Sequence, residues 1–106
     1  MKTSPTQRSL KLLRDEGYYA EVVEHFNVFC KRRFDLLGFI DVLAIHPETG
    51  DVRAVQTTSA SNVSSRVNKI MAHENLPLVR KAGWTLHIHG WRVKAGKWVC
   101  RVEDIS

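Results

Sequence analysis

The run Phe39-Ile40-Asp41-Val42-Leu43-Ala44-Ile45 is apolar at every position but one. Continuous apolar character over this length suits a strand covered on both faces. A carboxylate in its middle must be paired, hydrogen-bonded or bound to a cation, because an isolated buried charge is too costly to keep. The cluster His46-Pro47-Glu48-Thr49-Gly50 that follows is turn chemistry, and Asp51–Thr58 has strand character again. The two segments therefore form an antiparallel hairpin. Strand side chains alternate, so Gln56 and Thr58 share a face and Thr57 points away. The expectation is Asp41, Gln56 and Thr58 gathered across a sheet edge.

Around this hairpin the chain alternates between helix and strand signals. Ser4-Pro5 starts a helix that Gly17 stops, giving a helix near 5–16. Tyr18–Phe26 reads as a first strand running into a basic loop at Lys31-Arg32-Arg33. Ser59–Asn62 caps a second helix with apolar Val63, Val67, Ile70 and Met71 at helical spacing, interrupted near Pro77 and ended by Gly83. Trp84–Val93 and Lys97–Val102 are two late strands around the turn at Lys94-Ala95-Gly96. The expected fold class is α/β, in the order α-β-β-β-α-β-β, with a mixed central sheet flanked by helices. A chain of 106 residues has room for one domain, spanning 1–106, with one core and an open or grooved site.

Sixteen Lys and Arg against eleven Asp and Glu give +5, a balance that favours an acidic partner such as nucleic acid. Cys30 and Cys100 have no CxxC spacing and read as reduced core thiols. Lys2–Arg8 is polar, and no stretch approaches the roughly 20 apolar residues of a membrane span. The expectation is a soluble cytoplasmic protein with no membrane partner. His87 and His89 share a strand face but lack an evident third ligand, so strand packing is favoured over zinc. Trp84, Trp91 and Trp98 read as core in preference to base-stacking platforms.

On the second helix Asn62, Arg66, Lys69 and His73 form one polar stripe beside the apolar one. It is either a solvated face or a source of cations for the hairpin site. The bland readings of the hairpin site are a salt-bridged or amide-capping Asp41 and a polar strand end at Gln56 and Thr58.

Gly38-Phe39-Ile40-Asp41-Val42-Leu43-Ala44 resembles the Asp-bearing strand of the PD-(D/E)XK nuclease superfamily, in particular Holliday junction resolvases of archaeal type and related phage nucleases. Glu16-Gly17-Tyr18 before the first strand is similar too. Gln56-Thr57-Thr58-Ser59, then Ser61-Asn62-Val63, Arg66 and His89-Gly90-Trp91, look like a group of small phage and prophage proteins in that superfamily. The resemblance covers most of the chain. It implies a restriction-endonuclease-like domain and a divalent-metal-dependent endonuclease hydrolysing DNA, including branched or recombination and repair intermediates, in the bacterial cytoplasm as a phage or host product. A homodimer is implied by the resolvases alone.

The departure is in the family's E-x-K element, where Gln56 and Thr58 replace the acid and the lysine. A neutral amide oxygen holds Mg²⁺ or Mn²⁺ less firmly than a carboxylate. The missing lysine removes a group that offsets phosphate charge. The resemblance assigns Asp41 and Gln56 as metal ligands, Glu24 or Asp35 as the further carboxylate, and Arg66 or Lys69 as the phosphate-side cation, with Thr58 in the catalytic strand. Lys31, Arg32, Arg33, Asn62, Arg66 and Lys69 are the expected nucleic-acid contacts. The alternative is a module that kept the fold, lost the chemistry, and binds nucleic acid or a protein partner.

Overall fold

The computed structural model describes residues 4–106. Helix α1 (Pro5–Asp15) begins where Ser4 Oγ accepts the Gln7 N–H at 3.2 Å, with Pro5 in the first turn. This satisfies a helix-start donor that would otherwise lack a partner. After α1 come β1 (Tyr19–Val22), β2 (His25–Asn27), β3 (Arg32–Phe34), β4 (Val42–Ile45) and β5 (Val52–Ser59). A 3-10 turn over Ala60–Asn62 leads into α2 (Val63–Met71), and then α3 (Leu76–Lys81), β6 (Thr85–Lys94) and β7 (Lys97–Asp104) complete the chain.

The main sheet has five strands in the order β1-β4-β5-β6-β7. β1, β4 and β5 form an antiparallel meander, while β5 and β6 run parallel. A parallel neighbour needs a crossover, and α2 and α3 supply it. The result is an α/β fold with a mixed sheet and helices on both faces. Val42, Ala44 and Val55 pack with Leu10 and Leu13 of α1. Ala54, Leu86 and Ile88 pack with Val63, Ile70 and Val79 of α2 and α3. Adjacent residues Ala54 and Val55 belong to opposite clusters, as the strand's period of two requires. Where α2 enters, Gly90 lies so close beneath Val63 that any Cβ would collide with its side chain and crowd the Ala60 backbone.

Several expectations are corrected. The first strand stops at Val22, and the chain then makes a separate two-stranded sheet, β2 with β3. Arg32 and Arg33 are therefore strand residues, and only Lys31 belongs to the turn. The element order gains this hairpin, and the second helix is divided into α2 and α3. Asp41 precedes β4 and does not sit in its middle. Neither cysteine is core, since Cys30 is exposed and Cys100 half-buried. Among the described residues no helix is long and apolar enough to cross a membrane.

Candidate metal centre and the adjoining groove

Asp41 is fixed through its backbone before its side chain is considered. Its N–H donates to Val55 O at 2.9 Å and its carbonyl accepts from Val23 N–H at 2.9 Å. The residue thus bridges the end of β1 and the middle of β5. Its Oδ2 accepts the Thr57 N–H at 2.8 Å and the Thr57 hydroxyl at 3.2 Å. Thr57 Oγ1 in turn lies 2.8 Å from Thr6 Oγ1 on α1. Thr6 Oγ1 also donates to Glu24 Oε1 at 3.4 Å, so the two hydroxyls link both carboxylates, and either can be the donor between them. Asp41 is 5% exposed.

Two further acids converge there. Glu24 precedes β2 and Asp35 follows β3, so the small hairpin is rooted on both sides by a carboxylate. One ligand oxygen from each of Glu24, Asp35 and Asp41 lies within 4.8 Å of the others. Burial raises Asp41 most. The Thr57 amide opposes that rise, and the neighbouring Asp35 and Glu24 add to it, leaving its carboxyl pushed up to about 8. At neutral pH the cluster therefore retains a proton that a cation could displace. Arg33 Nη1 stands 3.3 Å from Glu24 Oε1.

The acids open into a concavity of about 520 Å³ that Thr58, Ser59, Arg33 and Arg66 also line. Next to it is a second, of about 430 Å³, lined by Gln56, Lys69 and His73. Asp35 and Arg66 contribute to both and form the divide. Gln56 is 4% exposed, and its Oε1 has no hydrogen-bond partner among the described residues. His73 packs edge-on to Phe39 with ring centroids 5.1 Å apart, and its Nδ1 accepts the Asn75 N–H at 3.0 Å. Gly38, at φ +92°, lies so close under the His73 ring that a Cβ there would clash with it.

The structure brings together Asp41, Glu24, Asp35, Thr58 and Arg66, and sets Gln56 and Lys69 in the adjoining concavity. The expected Asp41–Gln56–Thr58 face is corrected, because the side chain that holds Asp41 is Thr57. Alternation predicts direction only within a strand, and Asp41 stands outside β4. Its carboxylate can therefore reach the backbone N–H and hydroxyl of a residue on the other face. Asn62 is exposed, with its Nδ2 donating to Ser59 Oγ at 3.0 Å. Lys31 and Arg32 are exposed on the hairpin.

His87 and His89 are engaged in packing. Ser9 Oγ accepts from Trp91 Nε1 at 2.9 Å and lies 2.9 Å from His89 Nδ1. Burial, with His87 and Arg53 nearby, pushes His89 down to about 4, so the ring stays neutral. His87 Nε2 faces Asp104 at 3.5 Å. Trp91 is buried and Trp84 half-buried against the core, whereas Trp98 is exposed with the Arg8 guanidinium 3.5 Å from its ring centroid. The core reading of Trp98 is thus corrected.

Comparison with protein-family models, curated proteins and solved structures yields no match for this chain.

Proposed function

We propose that this chain is a divalent-metal-dependent endonuclease of restriction-endonuclease-like fold that hydrolyses DNA phosphodiester bonds. The observation that carries the reading is the convergence of Glu24, Asp35 and Asp41 within 4.8 Å around a buried carboxyl raised to about 8. Three hard oxygen donors suit Mg²⁺ or Mn²⁺. Like charges held this close in a buried site oppose one another, and a cation would relieve them. The order of helix, antiparallel meander, helical crossover and parallel strand supports the topology.

Glu24, Asp35 and Asp41 would hold the ion, which when bound supplies a water of lowered pKa and neutralises charge on the phosphate. Thr57 orients the Asp41 carboxylate through two hydrogen bonds. Arg66, on the divide between the concavities and in no ion pair among the described residues, is the cation best placed to meet a phosphate. Its planar fork can bind two phosphate oxygens at once. Gln56 lines the adjoining concavity, with its amide oxygen buried and unpartnered among the described residues.

A second reading is a non-cleaving DNA-binding module, and one observation favours it. Gln56 and Thr58 are neutral, and among the described residues no lysine lines the acidic concavity. Supercoiled plasmid, branched DNA and single strands incubated with Mg²⁺ or Mn²⁺ discriminate the two. Metal-dependent nicking that Asp41→Asn abolishes supports the nuclease. Salt-sensitive binding without nicking at any metal concentration supports the module.

A further inference from the structure

The β2–β3 hairpin stands apart from the main sheet and carries the most exposed aromatic side chain in the described chain. Phe29 at its tip is 94% exposed and the adjoining Val28 67%, while Phe26 and Phe34 are exposed along the strands. Asn27 Oδ1 accepts the N–H groups of Phe29 and Cys30 at 2.9 and 3.1 Å, which holds the turn that presents the tip. Lys31, at φ +52°, closes it. His25 stacks on Phe34 with ring centroids 5.7 Å apart, stiffening the base. Exposed apolar side chains grouped in this way mark a contact surface.

Charge decides what that surface meets. Between His25 and Phe34 there are three cations, Lys31, Arg32 and Arg33, and no acid. Burying those cations in an apolar groove of a protein partner would cost free energy. Nucleic acid offers phosphates for the cations and a flat apolar base for the ring. A two-stranded ribbon also fits the major groove of DNA.

We propose that the β2–β3 hairpin is a nucleobase-contacting arm, in which Phe29 stacks on an unstacked base while Lys31 and Arg32 hold the flanking phosphates. This deepens the nuclease reading and rests on it for DNA as the substrate. The arm is rooted on Glu24 and Asp35, two members of the acid cluster, and Arg33 extends from it to Glu24. The three strand residues span about 10 Å and the tip projects beyond them, so a base held at the tip lies at least about three nucleotides from the cluster at roughly 3.4 Å per nucleotide. The arm would thus set which step of the backbone reaches the acids, and it favours DNA in which a base is already free of its stack.

The test is binding, in EDTA so that metal chemistry plays no part, to a duplex with 2-aminopurine opposite an abasic site, compared with the fully paired duplex. Wild type should bind the first more tightly and quench its fluorescence. Phe29→Ala should weaken that binding about tenfold or more, the loss expected from one base–aromatic stack, and abolish the quenching. Phe29→Trp should restore both. Since Phe29 is exposed, neither change should disturb folding. Unchanged affinity and quenching in Phe29→Ala would overturn the arm. So would a Phe29→Ala protein that binds DNA as wild type does but passes from dimer to monomer in sedimentation, which would assign the tip to a second copy of the chain. If the plasmid is never nicked yet Phe29→Ala loses binding and quenching, the catalytic reading fails and the arm stands.

Discussion

Replacing Asp41 by Asn should make the metal-free protein more stable in alkaline solution, an unusual outcome for a change at a buried, hydrogen-bonded residue. The carboxyl titrates near 3.8 when solvated and near 8 in the fold. Between these values the folded chain holds a proton that the unfolded chain has released, so stability falls as pH rises from about 4 to about 8. Above that range the penalty is complete. One pH unit corresponds to about 1.36 kcal/mol, which would set an upper bound of about 5–6 kcal/mol. Sharing of the charge with Asp35 and Glu24 lowers this to about 2–3 kcal/mol.

Asn keeps the volume and an oxygen to accept the Thr57 N–H but carries no charge. At pH 9 in EDTA, Asp41→Asn should therefore melt about 8–24 °C above wild type, using 4–8 °C per kcal/mol for a domain of about this size. At pH 4 the difference should vanish. Mn²⁺ should raise the melting temperature of wild type more at pH 8 than at pH 5.5, and that of Asp41→Asn at neither. A variant less stable than wild type at pH 9, with no metal response in either protein, would mean that the Asp41 carboxyl carries no such penalty.

Gln56→Met removes a buried unpartnered oxygen at little cost in volume, and should stabilise the fold by about 1–2 kcal/mol while lowering cleavage, read by melting and by plasmid nicking. Arg66→Ala should reduce turnover of bound DNA far more than DNA affinity, the pattern of an interaction that strengthens in the transition state, with Lys69→Ala doing less; single-turnover kinetics separate the two effects. Lys31→Ala with Arg32→Ala should flatten the slope of log affinity against log salt by about 2, at roughly 0.9 for each phosphate no longer neutralised. Ser9→Ala leaves Trp91 Nε1 and His89 Nδ1 without their shared partner, and should cost about 1–3 kcal/mol in denaturant unfolding.

Much of the scaffold is legible in the sequence because its signals are local. Ser4-Pro5 announces the start of α1, the His46–Gly50 turn announces the β4–β5 hairpin, and the spacing of Val63, Val67 and Ile70 announces α2. The β2–β3 hairpin is not legible, since its strands are three residues each. Its turn depends on an Asn27 side-chain bond and a left-handed lysine in place of an Asn-Gly or Asp-Gly signal. Asp41 stands out as a charge in an apolar run, while Glu24 and Asp35 can be named only as alternatives because their approach depends on that hairpin. Thr57 escapes for a reason specific to strands: period-two reasoning fails for a side chain that begins outside the strand it adjoins. The cysteines mislead because small apolar character does not fix burial when the residue falls on a turn, as Cys30 does, or on an edge strand, as Cys100 does.

Whether Glu24, Asp35 and Asp41 together bind one divalent cation, as proposed, is open to direct observation. A crystal soaked in Mn²⁺ and measured at the manganese edge addresses it without recourse to activity. An anomalous peak is expected among the three carboxylates, with oxygens from all three at about 2.1–2.2 Å, near the distances of small hard cations. A peak elsewhere, or none at millimolar Mn²⁺ while the three side chains keep their positions, would contradict it.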